Sequence, residues 1–152
     1  MSITYQSCAQ AAGRPRHETN DCTVKAVAIA CQMPYIKAHA LMKEAGRKDG
    51  RGFNALKTNA VIEKQNFKVE IVQGRHGAQA DKFPKAKTIS SAVKVLPKDK
   101  TYLIYSTGHV SVFRNGTLDD WAEETARNRI IAIFEVTPMF SKNALKKMKR
   151  GN

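Results

Sequence analysis

The sequence predicts an α+β fold, with N-terminal helices packed on a C-terminal antiparallel sheet and a cysteine at the start of the first helix. Two observations lead there. From residue 20 to about 64, three apolar-periodic segments are each preceded by helix-starting residues or a proline. From residue 101 onward the periodicity shortens, β-branched and aromatic residues gather, and Asn115-Gly116 marks a two-residue hairpin turn. Helix-rich then strand-rich order is the pattern of α+β domains.

Residues 1–19 are polar and read as an irregular segment, with Gly13-Arg14-Pro15-Arg16 as a loop. The first helix begins at Cys22, and Asn20 and Asp21 are expected to cap its open N–H groups. Thr23 to Ala30 is small and apolar, suited to a helix buried on most sides. Gln32-Met33-Pro34 ends it, and Pro34 starts a second helix to about Ala45 with Ile36, Ala40, Leu41 and Ala45 as its apolar side. Gly46 to Gly52 reads as a solvated basic connector, too irregular for a phosphate-binding loop. Asn54 caps a third helix to Lys64, carrying Leu56, Ala60 and Val61. Phe67 to Val72 alternates as a half-buried strand, 74–87 is a long loop, and Thr88 to Val95 suits a short helix. Strands follow at 101–106, 109–113 and 129–136. Repeats and linkers are not visible, so the chain reads as one domain, followed by a basic tail at 138–152.

The chain has 152 residues, enough for a sizeable core, and a net charge of +13. Five of its cations are in the tail: Lys142, Lys146, Lys147, Lys149 and Arg150. Such a protein adsorbs to nucleic acid through phosphates, although its basic loops hold few aromatics for base stacking. The three cysteines, Cys8, Cys22 and Cys31, are an odd number and point to reduced thiols. Their spacing with His17 does not make a zinc site, and no metal or cofactor is expected. No run suits a bilayer span and Met1 to Gln10 lacks signal-peptide character, so a cytoplasmic protein with no membrane partner is expected.

Cys22 stands where helix N–H groups and the positive dipole end favour a thiolate. A thiolate nucleophile needs a base and a group that orients the base. Of His17, His39, His76 and His109, only His109 opens a predicted strand, beside Gly108. The orienting acid should come from the next strand. A two-residue turn at Asn115-Gly116 places Val112 opposite Asp119 and Ser111 opposite Asp120, which gives Asp120 the face of His109. A one-residue bulge substitutes Asp119. Each residue also has a plainer reading: Cys22 as a buried thiol, His109 as an ordinary strand residue, and the two acids as exposed or helix-capping groups.

The order of cysteine at a helix start, histidine on a strand and acid on the next strand resembles the papain-like cysteine peptidase superfamily. The chain is most similar to small bacterial and bacteriophage peptidase-like proteins opening with Asn-Asp-Cys-x-x-(Arg/Lys)-Ala. Pro34-Tyr35, Arg51-Gly52-Phe53, His109, Gly116, Asp119 and Trp121 match their later pattern, over about residues 20 to 137. The resemblance implies a papain-like fold and Cys22, His109 and Asp119 as catalytic residues, with Asp120 the alternate acid. Such enzymes carry an oxyanion Gln before the cysteine. Arg14 to Glu18 has none, which leaves the Cys22 N–H and Asn20 as donors.

The functional expectation is a thiol hydrolase, a cysteine peptidase or amide hydrolase of phage origin, cleaving peptide or protein substrates in the host cytoplasm or the virion. Cell-wall peptides are a variant substrate, because 108–113 resembles the histidine strand of cell-wall amidopeptidases. The alternative is a non-enzymatic, basic, nucleic-acid-binding or virion-associated protein on the same fold, binding non-specifically through the tail and the loops at 43–51 and 75–87.

Overall fold

The computed structural model describes residues 3–4, 20–74, 86–119 and 128–139. Among them are four helices, α1 (Cys22–Ala30), α2 (Tyr35–Glu44), α3 (Ala55–Lys64) and α4 (Ile89–Val95). Six strands accompany them: β1 (Ile3–Thr4), β2 (Phe67–Gln73), β3 (Thr101–Ser106), β4 (His109–Arg114), β5 (Thr117–Asp119) and β6 (Ile130–Pro138). They form one sheet in the order β1-β5-β4-β3-β6-β2. The fold is α+β, and five strands pair antiparallel. Ile3–Thr4, within the segment read as irregular, adds a short sixth strand parallel to β5.

The sheet is covered on both faces. On one, Leu103, Tyr105, Val110, Val112 and Val136 pack against α1, α2 and α3. On the other, Tyr102, Ile104, Phe113, Leu118 and Ile133 pack against α4. Strand alternation accounts for the division, because neighbouring residues of a strand point to opposite faces. Helix α1 is the centre of the first layer. Val24, Val27 and Ile29 are fully buried, each contributing about 1.5–3 kcal/mol relative to exposure.

Helix boundaries agree with the sequence, but several faces differ. In α2 the buried residues are Tyr35, Ala38 and Met42, whereas Ile36 is 62% exposed. The true stripe is i, i+3, i+7, and Ile36 lies off it. In α3 the buried residues are Thr58, Asn59, Val61 and Ile62, whereas Leu56 is 72% exposed and Ala60 is also exposed. Polar residues occupy this core face because they are satisfied there. Thr58 Oγ1 donates to the Asn54 carbonyl at 2.9 Å, and Asn59 Oδ1 accepts from the Tyr105 hydroxyl at 2.9 Å.

Asn54 caps α3 as expected, accepting from the Leu56 and Lys57 amides at 2.8 and 3.2 Å. Thr88 and Ser91 form a capping box on α4. The Asn115-Gly116 turn has φ of 51° and 73°, the paired positive values of a type I′ hairpin. It fixes Val112 opposite Asp119, Phe113 opposite Leu118 and Arg114 opposite Thr117.

Candidate active site

Cys22 is the first residue of α1, half-buried, and His109 is the first residue of β4. The packing of α1 on the sheet brings both to one cavity of about 250 Å³. Tyr105, Ser106 and Gly108 from the β3–β4 hairpin, Gly52, Phe53 and Ala55 from the start of α3, and Ile131 from β6 complete most of the wall. The cavity is smaller than the roughly 300–1,000 Å³ typical of sites for drug-sized ligands, so it suits a side-chain-sized group. Gly108, at φ +66°, makes the turn that delivers His109, and a side chain there would be strained.

The residues before the thiol do not cap α1. Asp21 occupies the N-cap position, but its side chain makes no capping hydrogen bond. Its buried carboxylate accepts from the Tyr35 hydroxyl at 2.7 Å and lies 3.5 Å from Lys25 Nζ. The carboxylate is thus turned to α2, which links the Asn-Asp-Cys and Pro-Tyr motifs physically. Asn20 does not cap either. It holds a left-handed φ of 52°, its Nδ2 donates to the Gly50 carbonyl at 3.0 Å, and its own carbonyl accepts from Arg47 Nη2 at 3.4 Å. Asn20 therefore ties the α2–α3 loop to the start of α1, and it is not among the residues of the cavity wall.

That loop is more than a solvated connector. Arg47 is 3% exposed within it, a position that its basic, glycine-rich composition did not disclose.

Asp119 is fully buried at the end of β5, where its Oδ2 accepts from Arg114 Nε at 2.8 Å. Its cross-strand partner is Val112, so it shares the face of Val110 and Val112. His109 opens β4 beside the Gly108 turn, at the cavity that Cys22 and Val110 also line. Asp120, Trp121, His17, His76, Cys8 and the basic tail from 140 onward lie outside the described residues.

The environment separates the other thiol from Cys22. Burial pushes the Cys31 thiol up to about 12, which leaves it protonated and unreactive at neutral pH. Burial, and then the nearby Cys22, push the Tyr105 phenol upward, so it remains a neutral donor to Asn59. Its ring meets Phe134 edge-on, with centroids 5.7 Å apart. Two residues of the cavity wall, Thr23 and Ser106, have buried hydroxyls with no hydrogen-bond partner among the described residues. Unsatisfied groups of this kind are uncommon in proteins and call for a functional or structural reason. His39, by contrast, lies 3.2 Å from Asp49 and away from the cavity.

Tyr105, Asn59 and Ser106 were not singled out by sequence reasoning, and nothing local in the sequence marks them. Phe53 and Gly52 were visible only as part of the resemblance. No group of three or more His, Cys, Asp or Glu side chains among the described residues is arranged to hold a metal ion. No helix among them is long and apolar enough to cross a membrane. Comparison of the chain with protein-family models, curated proteins and solved structures gives no match.

Proposed function

We propose that this protein is a papain-like thiol hydrolase that cleaves amide bonds in peptide or protein substrates, with Cys22 as nucleophile and His109 as base. The observation that carries the reading is that Cys22, at a helix N-terminus, and His109, at a strand start, line one cavity. In this reading His109 accepts the Cys22 thiol proton, and the thiolate attacks the substrate carbonyl carbon. The resulting oxyanion is met by the Cys22 backbone N–H, one of the first-turn donors that has no partner within the helix. Imidazolium then gives its proton to the leaving amine as the C–N bond breaks. Water, deprotonated by His109, attacks the thioester, and the carboxylic acid leaves as the thiol is restored.

The hairpin register supports Asp120 over Asp119 as the group that orients His109. It is the two-residue register under which the sequence assigns Asp120 to the face of His109. Asp119 accepts from Arg114 Nε at 2.8 Å. We place the activity in a compartment that keeps thiols reduced, the host cytoplasm for a phage-encoded protein.

The test is alkylation by iodoacetamide between pH 5 and 9, read by mass spectrometry at each cysteine, in the wild type and His109→Ala. Cys22 is expected to react at lower pH than Cys31 and Cys8, and to lose that advantage in His109→Ala. Equal behaviour of Cys22 in both proteins refutes the pair. It would turn attention to phosphate-led nucleic-acid binding, which the +13 charge favours. A steep salt dependence of such binding, unchanged in Cys22→Ala, would identify that alternative.

A further inference from the structure

Beside the Cys22 cavity runs a second, larger depression of about 440 Å³, walled by Arg47, Lys48, Arg51, Gly52, Phe53 and Lys57 among others. Gly52 and Phe53 belong to both walls, so the two spaces adjoin. The wall of the groove carries four cationic side chains and no acidic one. Asp49, the acid within the same loop, has Oδ1 3.2 Å from His39 Nε2 and is not in the wall. Lys48, Arg51 and Lys57 are exposed and make no ion pair among the described residues. Lys57 Nζ stands 5.9 Å from the centre of the Phe53 ring, which sets one cation over the junction of the two spaces.

Like charges gathered on one concave wall repel one another and raise the local concentration of anions. We propose that this groove binds an acidic segment of the substrate, carboxylate-bearing residues close in sequence to the bond presented to Cys22. The inference rests on the acyl-transfer reading of the cavity. It selects a peptide over a nucleic acid for two reasons. The groove opens onto a thiol whose chemistry requires an acyl carbonyl, and its one aromatic, Phe53, offers no run of stacking platforms for successive bases. Gly52 fits this use, because a Cβ added there meets nothing of the protein within 4 Å. The backbone at the junction is open to a passing chain.

The experiment combines protection and binding. The first readout is the rate of Cys22 alkylation by iodoacetamide in the presence of a blocked Glu-Glu-Ala-Glu-Glu peptide, its Gln counterpart, or a single-stranded oligonucleotide. The second is fluorescence anisotropy of the same labelled peptides on Cys22→Ala protein. The Glu peptide is expected to protect and bind at concentrations at least about five-fold lower than the Gln peptide, since exposed charge pairs contribute roughly two- to five-fold each. The preference should vanish at high salt and in Lys48→Glu/Arg51→Glu. It should persist in the charge-matched control Lys94→Glu/Lys98→Glu, with Lys94 in α4 and Lys98 beside the Gly116 turn, neither in the groove wall. The milder Lys48→Gln/Arg51→Gln repeats the test if the reversal perturbs folding.

Equal affinity for Glu and Gln peptides overturns the proposal while leaving the thiol reading intact, because the unprotected alkylation rate reports on that separately. Oligonucleotide binding that exceeds Glu-peptide binding and falls with the same substitutions overturns it in favour of nucleic acid. A Cys22 no more reactive than Cys31 overturns the catalytic reading and the substrate assignment with it.

Discussion

Asp119→Asn and Asp120→Asn differ by one position in the chain, and the register reading gives them opposite consequences. Asp119 is fully buried, with Arg114 Nε 2.8 Å from its Oδ2 and the Arg114 side chain 14% exposed. Removing the charge leaves a mostly buried guanidinium facing a neutral amide that still accepts one hydrogen bond. Loss of a partner from a buried pair costs about 3–5 kcal/mol, and the retained bond reduces this to roughly 2–4 kcal/mol. Against the 5–15 kcal/mol typical of a domain, the protein remains mostly folded in the cold. Urea titration at 15 °C should show the loss as a lower midpoint, and the Cys22 alkylation rate at pH 6 should stay within about two-fold of wild type. Asp120→Asn should reverse this, with a small change in midpoint but a fall of about ten-fold or more in Cys22 alkylation, as for an orienting carboxylate. The reasoning from register is refuted if Asp119→Asn, folded by circular dichroism, loses Cys22 reactivity while Asp120→Asn retains it.

Three further outcomes follow from the packing. Tyr35→Phe removes the donor to the buried Asp21 carboxylate, so thermal or urea unfolding should register a loss of about 1–3 kcal/mol. Because that carboxylate sits directly before Cys22, Cys22 alkylation kinetics should change with it. Asn54→Ala exposes two first-turn amides and should cost about 1 kcal/mol by urea titration, whereas Leu56→Ala, on the exposed side of the same helix, should stay within roughly 0.5 kcal/mol. Stability should be flat from pH 6 to 8.5 and then fall. The folded state holds the Cys31 proton up to about 12, whereas an unfolded thiol releases it near 9.0. Above that lower value the native state binds more protons, so rising pH favours unfolding. Cys31→Ala should flatten part of the decline, and unchanged alkaline sensitivity would show that the buried tyrosines Tyr102 and Tyr105 dominate it.

Local chemistry made much of this molecule legible. Asn54 and Asn115-Gly116 act through groups within three residues of themselves, so this cap and turn could be read from the chain alone, whereas Thr88, which by sequence suits the first residue of α4, is instead its cap. The turn carried the register with it, since a two-residue loop leaves one pairing for β4 and β5. The start of α1 at Cys22 was legible from the small apolar run that follows it. The expected caps were not, because Asp21 and Asn20 found partners in Tyr35 and Gly50, 14 and 30 residues away, and those contacts outcompeted the local ones. Which side of α2 and α3 faces inward was also a tertiary decision. Asn59 is buried and Leu56 exposed because Tyr105, on a strand 46 residues later, supplies the hydrogen bond that makes the polar residue tolerable inside. The shared cavity of Cys22 and His109, and the basic groove that adjoins it, exist only because α1 and the α2–α3 loop pack against the end of the β3–β4 hairpin. Sequence named the reactive residue types, and long-range packing decided which of them meet.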